Sequence, residues 1–117
     1  MNNLKALAVF VVAAVVAGCG GGEVDSDLPR GVTADTIRIG THTDLSSLLA
    51  IWGVPMVNGS RLRFEEANEA GGIHGRRIEF VVEDTQFQVP MAVKAVNKLI
   101  NVDEIFVMVG AMGTPHN

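Results

Sequence analysis

Only one cysteine, Cys19, occurs in the 117 residues. No disulfide can therefore close within the chain, and the fold must rest on a core of buried side chains. The apolar run from Ala6 to Val16 has eleven residues, short of the about 20 that a bilayer-spanning helix needs. Positive charge is also scarce: 9 lysines and arginines face 13 acids, for a formal charge of −4. Arg76-Arg77 and Arg61/Arg63 are the only basic pairs, and acids stand close to both. Phosphate binding wants a clustered basic surface, so nucleic acid is not expected as a partner. Nucleotide chemistry lacks its signatures too. No Gly-x-Gly-x-x-Gly follows the first strand, and no Gly-Lys-Ser/Thr occurs anywhere.

Catalytic and metal sets are equally missing. His42 and Asp44 sit two apart and invite a metal reading, but His74 and His116 are scattered and no spacing resembles a metal cluster. A polar loop is the preferred account of His42-x-Asp44. Ser46, Ser47 and Ser60 lack the context of a nucleophile elbow. The chain reads as a non-enzyme, with no cofactor.

Its amino terminus is a short export signal. Lys5 supplies the positive region, Ala6 to Val16 the apolar region, and Ala17-Gly18 the small residues before Cys19. The ending Val16-Ala17-Gly18-Cys19 resembles the lipobox of bacterial lipoproteins, in which the peptide is cut before a cysteine that then carries lipid. The resemblance implies a signal peptide over 1–18, lipidation at Cys19, and an exported protein held on a membrane by its lipid. An ordinary signal peptide with a cysteine beside the cut is the alternative. Cutting there removes one cation, Lys5, leaving 8 against 13 acids, a formal −5. Residues 19–32 follow as a linker: Gly20 to Gly31 holds four glycines, three acids and one proline, too little apolar material to offset chain entropy.

From residue 33 to 117 the pattern is that of a folded α/β unit. Thr36-Ile37-Arg38-Ile39-Gly40 alternates like a strand, and Gly53 to Ala70 has helical spacing through Val57, Ser60, Phe64 and Ala67. Asn68 to Gly72 supplies a helix stop. Ile78 to Val82 is a second strand, running into Glu83-Asp84-Thr85. Pro90 opens a second helix with the stripe Ala92, Val93, Val96, Leu99 and Ile100. Ile105 to Val109 is wholly apolar, as in a strand covered on both faces. Strand, helix, strand, helix, strand implies a parallel, Rossmann-like sheet with right-handed crossovers. Thr114-Pro115 reads as the start of a third helix. A doubly wound sheet has about five or six strands, so three strands read as the amino-terminal piece of something longer.

These landmarks form a familiar series: Thr36 to Gly40, Gly53, Gly59, Asn68-Glu69-Ala70-Gly71-Gly72-Ile73-His74-Gly75, Ile78, Asp84, Pro90, Ala92-Val93, Lys98-Leu99-Ile100 and Gly110. The series resembles the amino-terminal part of the branched-chain amino-acid-binding family of ABC-transporter substrate-binding proteins. The Asn-x-x-Gly-Gly-Ile-x-Gly element at 68–75 is its most specific part. What the resemblance implies is a partial amino-terminal lobe of a type I periplasmic-binding-protein fold. Two such lobes trap a small amino acid, carboxylate or amide between them and deliver it to an ABC permease. A ligand-sensing receptor or regulator of the same fold is the alternative, and a nucleotide-using α/β enzyme a remoter one.

The physical reading points to the same end of the sheet, because open α/β sheets bind ligands beyond the carboxyl ends of their strands. Those ends are Thr41 to Ser47 and Gly110 to Thr114, and a helix starting at Pro115 would aim backbone amides there. By resemblance, Thr114 falls where the family has a hydroxyl residue that holds the ligand carboxylate; the alternative is a helix cap. Trp52 falls where relatives place an aromatic residue beside the ligand; the alternative is a core anchor. Ala111 and Met112 would add a wall or backbone contacts. Two departures are visible: Ser47 stands where the family often has glycine, and the cysteines that pair in some relatives are absent.

Overall fold

The structure, a computed structural model, describes residues 27–116. The expected signal peptide and Cys19 lie outside the described residues. Three strands and two helices alternate: β1 (Thr36–Thr43), α1 (Ala50–Glu69), β2 (Arg77–Asp84), α2 (Val89–Asn101) and β3 (Val107–Met108), followed by a three-residue 3₁₀ turn, Thr114–His116. The strands form one sheet in the order β2-β1-β3. Both pairings are parallel; β1 runs in register with β2 from Thr36↔Arg77 to Thr43↔Asp84, and Ile39 and Gly40 oppose Val107 and Met108. The expected α/β architecture is present.

The two helices cover opposite faces. Side chains alternate along a strand, and on β2 Phe80 meets Phe64 of α1 edge-on, with ring centroids 5.0 Å apart, while Glu83 binds Lys98 of α2 at 2.7 Å. Under α2 lies the tightest packing: Ala92, Ala95 and Leu99 are buried together with Ile105. Lys98 also holds Asp103 at 2.9 Å, and Arg38 joins Glu79 at 3.0 Å and the Asp103 carbonyl at 2.8 Å. Hydrogen bonds from Lys98 to Asp103 and then Glu83 raise its pKa. These ties hold the far end of α2 to β1 and β2.

Several boundaries differ from the sequence expectations. β1 extends three residues past Gly40 because Thr41, His42 and Thr43, though polar, continue the ladder to Asp84. α1 begins three residues early, at Ala50, because the Asp44 carboxylate accepts the Leu49 amide at 2.8 Å and supplies the cap that Leu49 cannot. Pro55 falls inside α1, near its start. β3 is not covered on both faces among the described residues: Phe106 and Val107 stay 50 % and 40 % exposed. Val107 opposes Ile39, so it lies on the α1 face, and α1 lies toward β2. Backbone bonds reach back to Pro29, with Arg38 donating to the Gly31 carbonyl at 2.8 Å, so the last residues before 33 lie against β1.

The 68–75 element has a clear mechanical role. Asn68 faces Ile78 like a strand neighbour: its Nδ2 donates to the Ile78 carbonyl at 3.0 Å, and its Oδ1 accepts the Ile78 amide at 2.7 Å. Gly72 (φ 74°) then turns the chain so closely that a Cβ would stand 2.1 Å from the Arg76 carbonyl oxygen.

Candidate ligand-binding site

The carboxyl ends of β1 and β2 carry the most organised polar structure in the molecule. Asp44, fully buried, accepts four hydrogen bonds: Oδ1 from the amides of Ser46 (3.2 Å) and Ser47 (2.8 Å), Oδ2 from the Ser47 hydroxyl (2.5 Å) and the Leu49 amide (2.8 Å). Asp84 completes the loop from β2. It accepts the Leu45 amide (2.9 Å), the Ser46 hydroxyl (2.5 Å) and the Gln86 amide (2.9 Å). Burial pushes both carboxyls upward, but these hydrogen bonds outweigh it and hold both below the ordinary 3.8. Both stay ionised, and their acceptor capacity is spent on the loop.

Ser47 therefore needs no glycine in its place. Its amide and hydroxyl both bind Asp44, so this departure from the family pattern is absorbed locally. Gly53 is required for a different reason. A Cβ there would stand 1.9 Å from the Asp44 carbonyl oxygen, so the first turn of α1 rests directly on the end of β1.

The expected site residues share one end of the sheet. Trp52 lies in the first turn of α1 and is 67 % exposed among the described residues. Ala111 and Met112, half-buried, follow β3, and the Met112 amide donates to the His42 carbonyl at 3.2 Å. Thr114 is exposed and opens the 3₁₀ turn; its hydroxyl makes no capping bond among the described residues. Met56 of α1 reaches the exit of β3, its sulfur 3.4 Å from where a Gly110 Cβ would be. So α1 lies beside the exit of β3. Among the described residues the turn has three residues, Pro115 has no N–H, and the His116 amide is bound by the Gly113 carbonyl at 2.7 Å.

Sequence reasoning missed several residues here. Asp44 had a signal, an aspartate with serines two and three positions on, the pattern of a local side-chain-to-backbone turn. Asp84 across the loop had none. His42 is not in a polar loop but in β1, 1 % exposed, and faces His116 from seventy-four positions away. Thr41, Thr43 and Thr85 are fully buried, and their hydroxyls have no partner among the described residues. No group of three or more metal-ligating side chains occurs among them. The exposed surface here is apolar, with Leu48 and Ile51 beside Trp52.

The profile of the periplasmic binding protein family matches residues 36–116. A leucine-, isoleucine-, valine-, threonine- and alanine-binding protein of Pseudomonas aeruginosa is 31 % identical over 70 residues, 60 % of this chain and 19 % of that protein. Among solved structures, a fatty acid ABC transporter substrate-binding protein from Thermomonospora curvata is 34 % identical with a TM-score of 0.72, over 75 % of this chain and 22 % of that one. The branched-chain amino acid transporter substrate-binding protein LivJ from Streptococcus pneumoniae, solved with isoleucine, is 30 % identical with a TM-score of 0.67, over 70 % and 24 %. The chain spans about a fifth of the length of the curated relatives it matches. These relatives are solute-binding proteins and not enzymes, and the described residues form part of one lobe of their fold. The chain belongs to the periplasmic binding protein family, in the group of ABC-transporter substrate-binding proteins that includes the branched-chain amino-acid binders.

Proposed function

We propose that this chain contributes one wall of an interlobe cleft in the extracytoplasmic solute-binding component of an ABC importer. The cleft captures a small amino-acid-like solute, or another carboxylate or amide, and presents it to a membrane permease. What supports the reading is the shared end of the sheet: Trp52, exposed, lies in the first turn of α1, and Met56 of the same helix meets Gly110 at the exit of β3. Trp52 supplies an apolar contact for the solute, the Thr114 hydroxyl a hydrogen bond to its carboxylate, and Ala111 and Met112 a flanking wall. Relatives named for aliphatic amino acids and for fatty acids share a carboxylate on an aliphatic body. Asp44 and Asp84 set the loop and do not touch the solute.

Calorimetry on the complete gene product tests this, with L-leucine, L-alanine, isobutyramide and decanoate as probes. Saturable binding of one class with no product supports the reading. Chemical conversion of any probe, or no binding by the whole panel, rejects it. The export signal and Cys19 lipid anchor complete the proposal: Cys19→Ser should move the protein from the membrane to the soluble fraction and leave affinity unchanged. Retention on membranes in that variant would remove the anchor from the account.

A further inference from the structure

His42 lies near the end of β1 and His116 closes the 3₁₀ turn, and their rings face one another with centroids 6.4 Å apart and planes tilted by 53°. Phe87, in the loop after β2, packs on the His116 ring at 5.1 Å. Nδ1 of His42 and both ring nitrogens of His116 are buried and have no hydrogen-bond partner among the described residues. The Met112 amide, bound to the His42 carbonyl, is the neighbouring backbone tie. The Met112 amide bond and the His42–His116 ring contact thus both tie the segment that carries Ala111, Met112 and Thr114 to β1.

The charges around that pair are already committed. Opposite His42 in register stands Glu83 of β2, whose carboxylate binds Lys98 of α2. Lys98 in turn holds Asp103. Asp44, two residues beyond His42, is spent on Ser46, Ser47 and Leu49, and Asp84 on Leu45, Ser46 and Gln86. The loop between β2 and α2 adds Gln86, Phe87 and Gln88, and the 3₁₀ turn adds no acid. An imidazolium formed in this contact has no unpaired carboxylate waiting on β1, β2, α2 or the turn. It would be a buried, uncompensated charge.

We propose that the His42–His116 contact is an acid-released latch, which holds the 110–116 segment against the strand ends while His42 is neutral and frees it when His42 takes up a proton. The sign follows from proton uptake. Burial first, and His116 second, hold the His42 pKa below the ordinary 6.5. The latched form therefore binds fewer protons than the released form, and falling pH favours release. The consequence for solute rests on the binding role proposed for Thr114; the latch itself does not.

Hydrogen exchange read by mass spectrometry on the complete gene product, without solute, tests the latch directly. Between about pH 7.5 and about pH 5, protection of the 110–116 peptide, corrected for intrinsic exchange, should fall at least about tenfold while the α2 peptide holds. His42→Phe keeps a ring facing His116 and removes the group that takes up the proton, so its protection should change with pH far less than that of the wild type. Unchanged wild-type protection of 110–116, or an equal loss in His42→Phe, overturns the latch. L-leucine affinity measured over the same pH range should weaken in step with the exchange. Failure of L-leucine to bind at every pH would count against that solute alone, because exchange still decides the latch.

Discussion

Replacing Asn68 isolates the physics of the most distinctive sequence element. Its amide makes two hydrogen bonds to the backbone of Ile78, at 2.7 and 3.0 Å, and so stands in for a neighbouring strand at the edge of β2. A neutral hydrogen bond contributes about 1 kcal/mol net, and an abandoned buried partner costs about 1–3 kcal/mol. Ile78 is half-buried, so water recovers part of the loss, and Asn68→Ala should cost about 2 kcal/mol. Asn68→Asp separates the two bonds. The introduced carboxylate keeps the acceptor for the Ile78 amide but turns a lone pair on the Ile78 carbonyl. It should therefore be at least as destabilised as the alanine variant near neutral pH. In acid the carboxyl gains a proton and with it a donor, so its deficit relative to wild type should shrink as pH falls through its pKa. Urea unfolding of the complete gene product, followed at several pH values with the slope checked for constancy, measures both effects. A loss below about 0.5 kcal/mol for Asn68→Ala would refute the edge-pairing role, and so would an Asn68→Asp deficit that does not respond to acid.

Two glycines of α1 should respond in opposite directions. Gly53→Ala drives a methyl into the Asp44 carbonyl oxygen and should cost about 2 kcal/mol. Gly59→Ala meets nothing within 4 Å and should stabilise by about 0.5–1 kcal/mol; equal effects in urea unfolding would mean the first turn of α1 does not rest on β1. Asp44, held below 3.8, contributes stability that is present above that value and lost as pH falls through its folded pKa. Asp44→Asn should flatten the acid limb of the thermal stability profile, and an unchanged limb would assign acid sensitivity elsewhere. Thr114→Val should weaken the carboxylate probe that binds by about 1–3 kcal/mol with an unchanged unfolding midpoint. Unchanged affinity with lowered stability would instead return Thr114 to a structural role.

Much of the fold was legible because period and punctuation agreed. β2 is a largely apolar, β-branched and aromatic run from Ile78 to Val82, and Pro90 marks the start of α2. Ala92 and Leu99 of the expected stripe of α2 are buried, whereas Val93 and Ile100 are exposed and Ala95 is buried instead. The start of α1 was not legible, because its cap is Asp44, outside the helix and five residues before Leu49. No local rule for a capping residue looks that far back. The end of β1 was hidden for a related reason. Thr41, His42 and Thr43 read as polar loop, yet they are buried and extend the parallel ladder. Burial there is imposed by neighbours that the sequence does not place side by side.

The same distinction separates the parts of the site. Trp52 and Thr114 enter the proposed site only through family resemblance, since an isolated tryptophan or threonine carries no period. Their exposure is what sequence could not supply. Asp44, Asp84, Ser46 and Ser47 were within reach of turn chemistry one residue at a time, but not as a single lattice joining β1 to β2. That lattice engages both carboxylates and leaves Leu48, Ile51 and Trp52 exposed beside it. In the proposed cleft such a wall suits the apolar body of a solute, and with Asp44 and Asp84 committed to the loop, an ammonium group would be met by another wall.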